Sequence, residues 1–97
     1  MLNMPNVSVI LPTYNERDNV QPLVSEILGQ LKEDVEIIIV DDTSSDGTRE
    51  KAQEILQKNK NVRLLKREKK SGVASAISDG ISLASGDIIA WMDADFS

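Results

Sequence analysis

Asp93 and Asp95 stand two residues apart, directly after the apolar run Ile88-Ile89-Ala90-Trp91-Met92. Where a buried strand breaks into a loop, carboxylates at this spacing can converge on one cation. An all-oxygen donor set selects a hard ion, Mg²⁺ or Mn²⁺, which keeps several waters and shares its shell with substrate phosphates. The chain contains no histidine and no cysteine. Thiol nucleophiles, imidazole bases, disulfides and the usual zinc sites are therefore excluded. An isolated Asp-X-Asp is more often a solvated acidic loop, and here the preceding strand is what favours a site.

A second acidic pair, Asp41-Asp42, closes the run Val35–Val40. These carboxylates could cap the following helix and shape the turn, or accept hydrogen bonds from a base or a ribose. Tyr14 and Glu16 follow the apolar run Val7–Leu11 without a glycine-rich phosphate cradle. The Tyr14 ring could lie beside a base or pack internally, Asn15 reads as a cap, and Trp91, in mid-strand, reads as core. Lys58, Lys60, Arg63, Lys66, Arg67, Lys69 and Lys70 are seven of the eleven basic residues. They read as a solvated face around an edge strand, with Arg67, Lys69 or Lys70 near a diphosphate as the alternative.

The elements that must position these groups follow from periodicity. Val7–Leu11, Val35–Val40, Val62–Leu65 and Ile88–Met92 are short apolar runs, as strands require. Val20, Leu23, Val24, Ile27, Leu28 and Leu31 form a helical stripe. Asn15, Asp18 or Asn19 is expected to cap it, Pro22 to fall in its first turn, and Gly29 to mark a close contact. Thr48 to about Lys58 is a second helix, with Glu54 and Lys58 as an i,i+4 pair. Val73, Ala76, Ile77, Gly80, Ile81 and Ala84 make a third, with a small buried face and Gly86 as its stop.

The order β-α-β-α-β-α-β predicts a three-layer α/β sandwich around a parallel four-stranded sheet. All the turns that follow strands then gather at one carboxyl edge, where ligands bind. With 97 residues the chain is expected to be one domain. Its net charge of −5 argues against nucleic acid as a partner. No apolar run reaches membrane-spanning length, and a soluble, cytoplasmic chain is expected.

Val9-Ile10-Leu11-Pro12-Thr13-Tyr14-Asn15-Glu16, Ile38-Ile39-Val40-Asp41-Asp42 with Ser45-Asp46-Gly47-Thr48, and Gly86-Asp87 through Met92-Asp93-Ala94-Asp95 together resemble the inverting family 2 glycosyltransferases. The Leu-Pro-Thr-Tyr-Asn-Glu and Met-Asp-Ala-Asp forms look most like the polyprenyl-phosphate (dolichyl-phosphate) mannose synthase branch. The resemblance implies the N-terminal half of a nucleotide-diphospho-sugar transferase fold, residues 1–97 forming one nucleotide-sugar-binding half-domain. It implies donor contacts at Pro12, Tyr14, Glu16, Val40, Asp42, Asp93, Ala94 and Asp95, with Mg²⁺ or Mn²⁺ at Asp93 and Asp95. Ser97 can join the metal's shell. The donor would be GDP-mannose or UDP-glucose, and the acceptor in a full-length relative a polyprenyl phosphate at a membrane surface.

The sequence departs from the family pattern at Thr43, where glycine, asparagine or serine is common, and at Val73-Ala74 and Ser97. The general base is expected beyond Ser97, so the chain is expected to bind donor without transferring sugar alone. An uncovered apolar edge at Ile88–Met92 predicts pairing with a second copy. Two other readings stay open on the residues alone. One is a receiver-like signalling domain with an acidic Mg²⁺ pocket, and the other is a non-catalytic oligomerising fragment.

Overall fold

The computed structural model of the chain describes residues 5–68 and 72–92. It contains β1 (Val7–Thr13), α1 (Arg17–Leu31), β2 (Val35–Asp42), α2 (Thr48–Lys58), β3 (Val62–Arg67), α3 (Val73–Leu83) and β4 (Ile88–Trp91), with a single 3₁₀ turn at Lys32–Asp34. The strands are all parallel, in the order β3-β2-β1-β4. The expected four-stranded α/β architecture is observed.

Alternation along β1 and β2 divides the core into two layers, because successive strand side chains point to opposite faces. Val9, Leu11, Ile37 and Ile39 pack with Val20, Val24 and Ile27 of α1 and with Ala52 and Ile55 of α2. Ile10, Ile38 and Val40 face the other way and meet Ala76 of α3. β2 is buried along its whole length, as its apolar run anticipates. The chain extends from β2 in one direction to β3, then returns across α3 to place β4 on the far side of β1. The order therefore reverses between β1 and β4, and the crevice outside their carboxyl ends is the expected ligand position.

Several local expectations are corrected. β1 continues through Pro12 and Thr13. Ile10 accepts from Met92 N (3.3 Å) on the β4 side, and Pro12, two residues on, turns its missing N–H to that side beyond the last paired residue of β4. Pro22 is the sixth residue of α1 and lies in its second turn. The N-cap is Glu16, and its side chain makes no capping bond. Glu54 pairs with Lys51 (3.4 Å) one turn back, not with Lys58.

A Cβ at Gly29 would meet nothing within 4 Å, so no close contact exists there. The close approaches are at Gly80, where a Cβ would come within 2.5 Å of Ile10 Cγ2, and at Gly86, 2.8 Å from Ser8 N. Gly80 is what lets α3 lie so near the sheet. Gly86 does not stop α3, whose C-cap is the extended residue Ala84. It brings the chain against the start of β1 instead.

Trp91 is 53% exposed, against the expectation of core. β4 touches the described chain chiefly through β1, and α3 leans on β1 and β2. No described helix covers β4, so Ile88, Ile89 and Trp91 stay exposed, and so do Val73 and Ile81 on α3. Among the described residues, no helix is long and apolar enough to cross a membrane.

The amino edge of the sheet is fastened by Glu36. Its Oε2 accepts from Ser8 Oγ (2.6 Å), Ser85 N (2.5 Å) and Ser85 Oγ (2.8 Å), and Arg63 lies 3.7 Å from Oε1. Burial disfavours its charge, but the hydrogen bonds from Ser8 and Ser85 and the attraction of Arg63 outweigh it and lower the Glu36 pKa. A carboxyl with a depressed folded-state pKa adds stability above its unfolded value, near 4.5, that is lost as pH falls through the folded value. Glu36→Gln is therefore expected to lose about 1–3 kcal/mol at pH 7. The gap to wild type should narrow below pH 4.5 in urea titrations repeated across pH. A gap that stays constant with pH would show that the charge is not what binds this corner.

Candidate functional site at the carboxyl edge

β1 and β2 end together, in the register Thr13↔Asp41, and deliver their turns side by side. Adjacent strand residues face opposite layers, so Asp41 and Asp42 diverge and take different roles. Asp41 turns to the α1–α2 side and is wholly buried. Its Oδ1 accepts from Thr13 Oγ1 (2.8 Å) and Ser44 Oγ (2.5 Å), and its Oδ2 from Ser44 N (3.0 Å) and Arg49 Nε (2.6 Å). Fully bonded, it has no capacity left for a ligand. It builds the turn.

The two turns are also bonded to each other. Asn15 N donates to Ser44 Oγ (2.9 Å), Ser45 N to Asn15 Oδ1 (3.0 Å), Glu16 N to Thr48 Oγ1 (2.9 Å) and Arg17 N to Asp46 Oδ2 (3.3 Å). Asp46 Oδ1 accepts from Thr48 N (3.0 Å) as well. One carboxylate thus serves the first free N–H groups of both α1 and α2, the capping that the sequence assigns to Asn15, Asp18 or Asn19 for α1. Slight burial opposes the charge of Asp46. The bonds from the Thr48 hydroxyl and from the Arg17 and Thr48 amides prevail, and its pKa falls below the ordinary value.

Asn15 (φ 55°), Thr43 (φ 62°) and Gly47 (φ 100°) supply the left-handed backbone these turns need. A β-branched residue is strained in that region. Thr43 therefore carries a backbone cost that glycine or asparagine would avoid.

Asp42 faces the α3 layer beside Arg67, its partner in the β2–β3 register. Its Oδ1 lies 3.4 Å from Arg67 Nε and has no hydrogen bond. Arg67 is buried, not part of a solvated face. Sequence reasoning favoured placing it with the surface lysines, with a position near a diphosphate as the alternative, and missed Arg49 altogether. The usable signal was positional, since an arginine and an aspartate at the carboxyl ends of adjacent strands become neighbours once the register is known.

The expected donor residues fall into three groups. Tyr14 (44% exposed), half-buried Pro12 and Glu16, and buried Asp42 gather at the carboxyl edge. Glu16 Oε2 accepts from Asn19 Nδ2 (3.1 Å). Val40 is there too, but its side chain is buried under α3, which leaves only its main chain to serve a ligand. Asp93, Ala94, Asp95 and Ser97 lie outside the described residues, as do Lys69 and Lys70. Among the described residues, no group of three His, Cys, Asp or Glu side chains could hold a metal. A cleft between α1 and α2, bordered by Val24, Leu28, Lys51 and Ile55, includes no residue of these turns.

Known proteins resemble this arrangement. The description "Glycosyl transferase family 2" matches residues 8–97. A dolichol-phosphate mannosyltransferase of Pyrococcus furiosus is 49% identical over 90 residues, which is 92% of this chain and 25% of that protein. Glycosyltransferase AglE of Haloferax volcanii is 36% identical over 96 residues, 97% of this chain and 32% of its own length. Among solved structures, mannosyltransferase PcManGT from Pyrobaculum calidifontis in complex with GDP-Man and Mn²⁺ superimposes with a TM-score of 0.85. It is 28% identical, over 96% of this chain and 28% of that one. S. aureus TarS 1-349 in complex with UDP-GlcNAc gives 0.82 at 29% identity, over 93% of this chain and 26% of that one. The chain thus spans about a quarter to a third of the relatives it matches.

Proposed function

The chain belongs to glycosyl transferase family 2, and from that premise we propose that it forms the donor side of a transferase that moves a hexose from a nucleoside diphosphate to a lipid phosphate or another acceptor. The observation that carries this reading is the superposition, over nearly the whole chain, on a mannosyltransferase in complex with GDP-Man and Mn²⁺. The nucleoside would lie against Tyr14 and Glu16 with Asp42 accepting hydrogen bonds from it, alongside Pro12 and Val40. Asp93 and Asp95, with Ala94 between them, would hold Mg²⁺ or Mn²⁺ through the diphosphate. With only oxygen ligands available, the donor set suits a hard cation. Such an ion offsets the charge that grows on the departing diphosphate.

The receiver-like alternative loses its footing at Asp41, because half of the acidic pair it needs is fully engaged by Thr13, Ser44 and Arg49. Self-association along the exposed β4 edge is no part of the donor-site reading.

Calorimetric titration of GDP, UDP and their hexose conjugates, with and without Mn²⁺, tests the proposal. Binding of one nucleotide is expected to tighten with Mn²⁺. The Asp93→Ala/Asp95→Ala variant is expected to lose at least about 10-fold in affinity with the metal present and little without it. Failure of every nucleotide to bind the unaltered protein would refute the reading.

A further inference from the structure

We propose that Arg67 is a positioning residue for the nucleoside end of this site, acting through Asp42; the inference rests on the donor-site reading above. Arg67 closes β3 and stands in register with Asp42 at the end of β2. Both side chains are more than nine-tenths buried. The guanidinium reaches three partners on two elements. Nε lies 3.4 Å from Asp42 Oδ1, Nη1 lies 3.4 Å from Asp79 Oδ2, and Nη2 donates to Ser75 Oγ (3.1 Å). Its backbone carbonyl accepts from Arg49, whose Nε holds Asp41. One residue thus joins β2 to α3 by its side chain and to α2 by its main chain, behind the acid that the ligand would meet.

Two atoms of this cluster, Asp42 Oδ1 and Arg67 Nη1, are buried without a hydrogen bond. At 3.4 Å the charges attract, but the hydrogen bond is not made. An under-bonded buried ion pair is a poor source of stability. Stability of the fold therefore does not explain the cluster, and its place one step past the Thr13↔Asp41 pair, beside the Tyr14 turn, directs it toward a ligand. What Asp42 Oδ1 lacks is a hydrogen-bond donor, as the N–H edge of a base or a ribose hydroxyl is. Arg67 would fix the direction in which Asp42 offers its lone pairs. A planar fork holds its donors in one fixed geometry, which the rotatable point charge of a lysine ammonium does not.

The test uses whichever of GDP and UDP the unaltered protein binds, together with the matching nucleoside monophosphate, with and without Mn²⁺. Arg67→Lys keeps the charge and is expected to weaken both ligands by about 10-fold. The ratio of diphosphate affinities with and without Mn²⁺ should stay unchanged, because the loss sits at the nucleoside. Ser75→Ala/Asp79→Asn removes only the α3 partners and is expected to weaken both ligands by about 3-fold. It decides the matter if circular dichroism shows that Arg67→Lys does not fold. Wild-type affinity in the deciding variant overturns the inference and leaves the donor site standing. Loss confined to the Mn²⁺-dependent part overturns it too, since that places Arg67 at the diphosphate. An unaltered protein that binds no nucleotide overturns both.

Discussion

Asp41→Ala is expected to lose about 3–5 kcal/mol of folding stability, because it takes the buried carboxylate away from the guanidinium of Arg49 and removes the acceptor for three other donors. Those donors, Thr13 Oγ1, Ser44 N and Ser44 Oγ, sit on β1 and on the turn after β2, so their loss loosens two elements together. Against a total of about 5–15 kcal/mol for a domain of this kind, the variant would be only marginally folded. Urea denaturation followed by circular dichroism measures the effect. Asp41→Asn, which keeps the shape and part of the bonding, should fall between the variant and wild type. A loss below about 1 kcal/mol for Asp41→Ala would mean that this carboxylate contributes no more than an exposed ion pair.

Gly86→Ala should come next, with a loss of about 2–4 kcal/mol from overpacking and one lost hydrogen bond. The added methyl would sit 2.8 Å from Ser8 N and 2.9 Å from the Val7 carbonyl carbon, both main-chain atoms of a central strand. No rotamer change relieves such a contact. The bond from Gly86 N to Ser8 Oγ (2.8 Å) would break first, and Ser8 in turn anchors Glu36. Gly29→Ala is the internal control. It lies mid-helix with open space around it, so the same change should stabilise by about 0.5–1 kcal/mol. Melting temperatures of the two variants should therefore move in opposite directions. Movement in the same direction would contradict the packing described for Gly86.

How much of this could be read from the sequence depended on how local the cause was. α2 is legible as Thr48 to about Lys58, and is observed over Thr48–Lys58, because its apolar stripe is local in the chain. The four strands and their order along the chain are legible for the same reason, and the meeting of the turns after β1 and β2 at one edge follows from parallel topology alone. The family resemblance carried by those turns is borne out by the match over residues 8–97. Trp91, Val73 and Ile81 were misread because apolarity says what gains from burial, not what stands near enough to supply it. Gly29 and Gly86 were misread for a similar reason. A glycine's local setting suggests a stop or a contact, but the strand that approaches it is far away in sequence. Arg67 shows the same limit on the polar side, because a charge run on an edge strand looks solvated until Arg67, at the end of β3, turns out to be buried against α3.

The bonds that tie Asn15, Glu16 and Arg17 to the Ser44–Thr48 turn have a thermodynamic consequence. Two loops that would otherwise fluctuate separately behave as one rigid block, with a shared carboxylate at its centre. A molecule landing at this carboxyl edge meets a surface already shaped, so little of its contact energy is consumed in freezing backbone. Preorganisation of this kind favours small ligands, whose few contacts cannot outweigh a large ordering entropy. The stiffness is built into the chain itself, and it precedes any ligand.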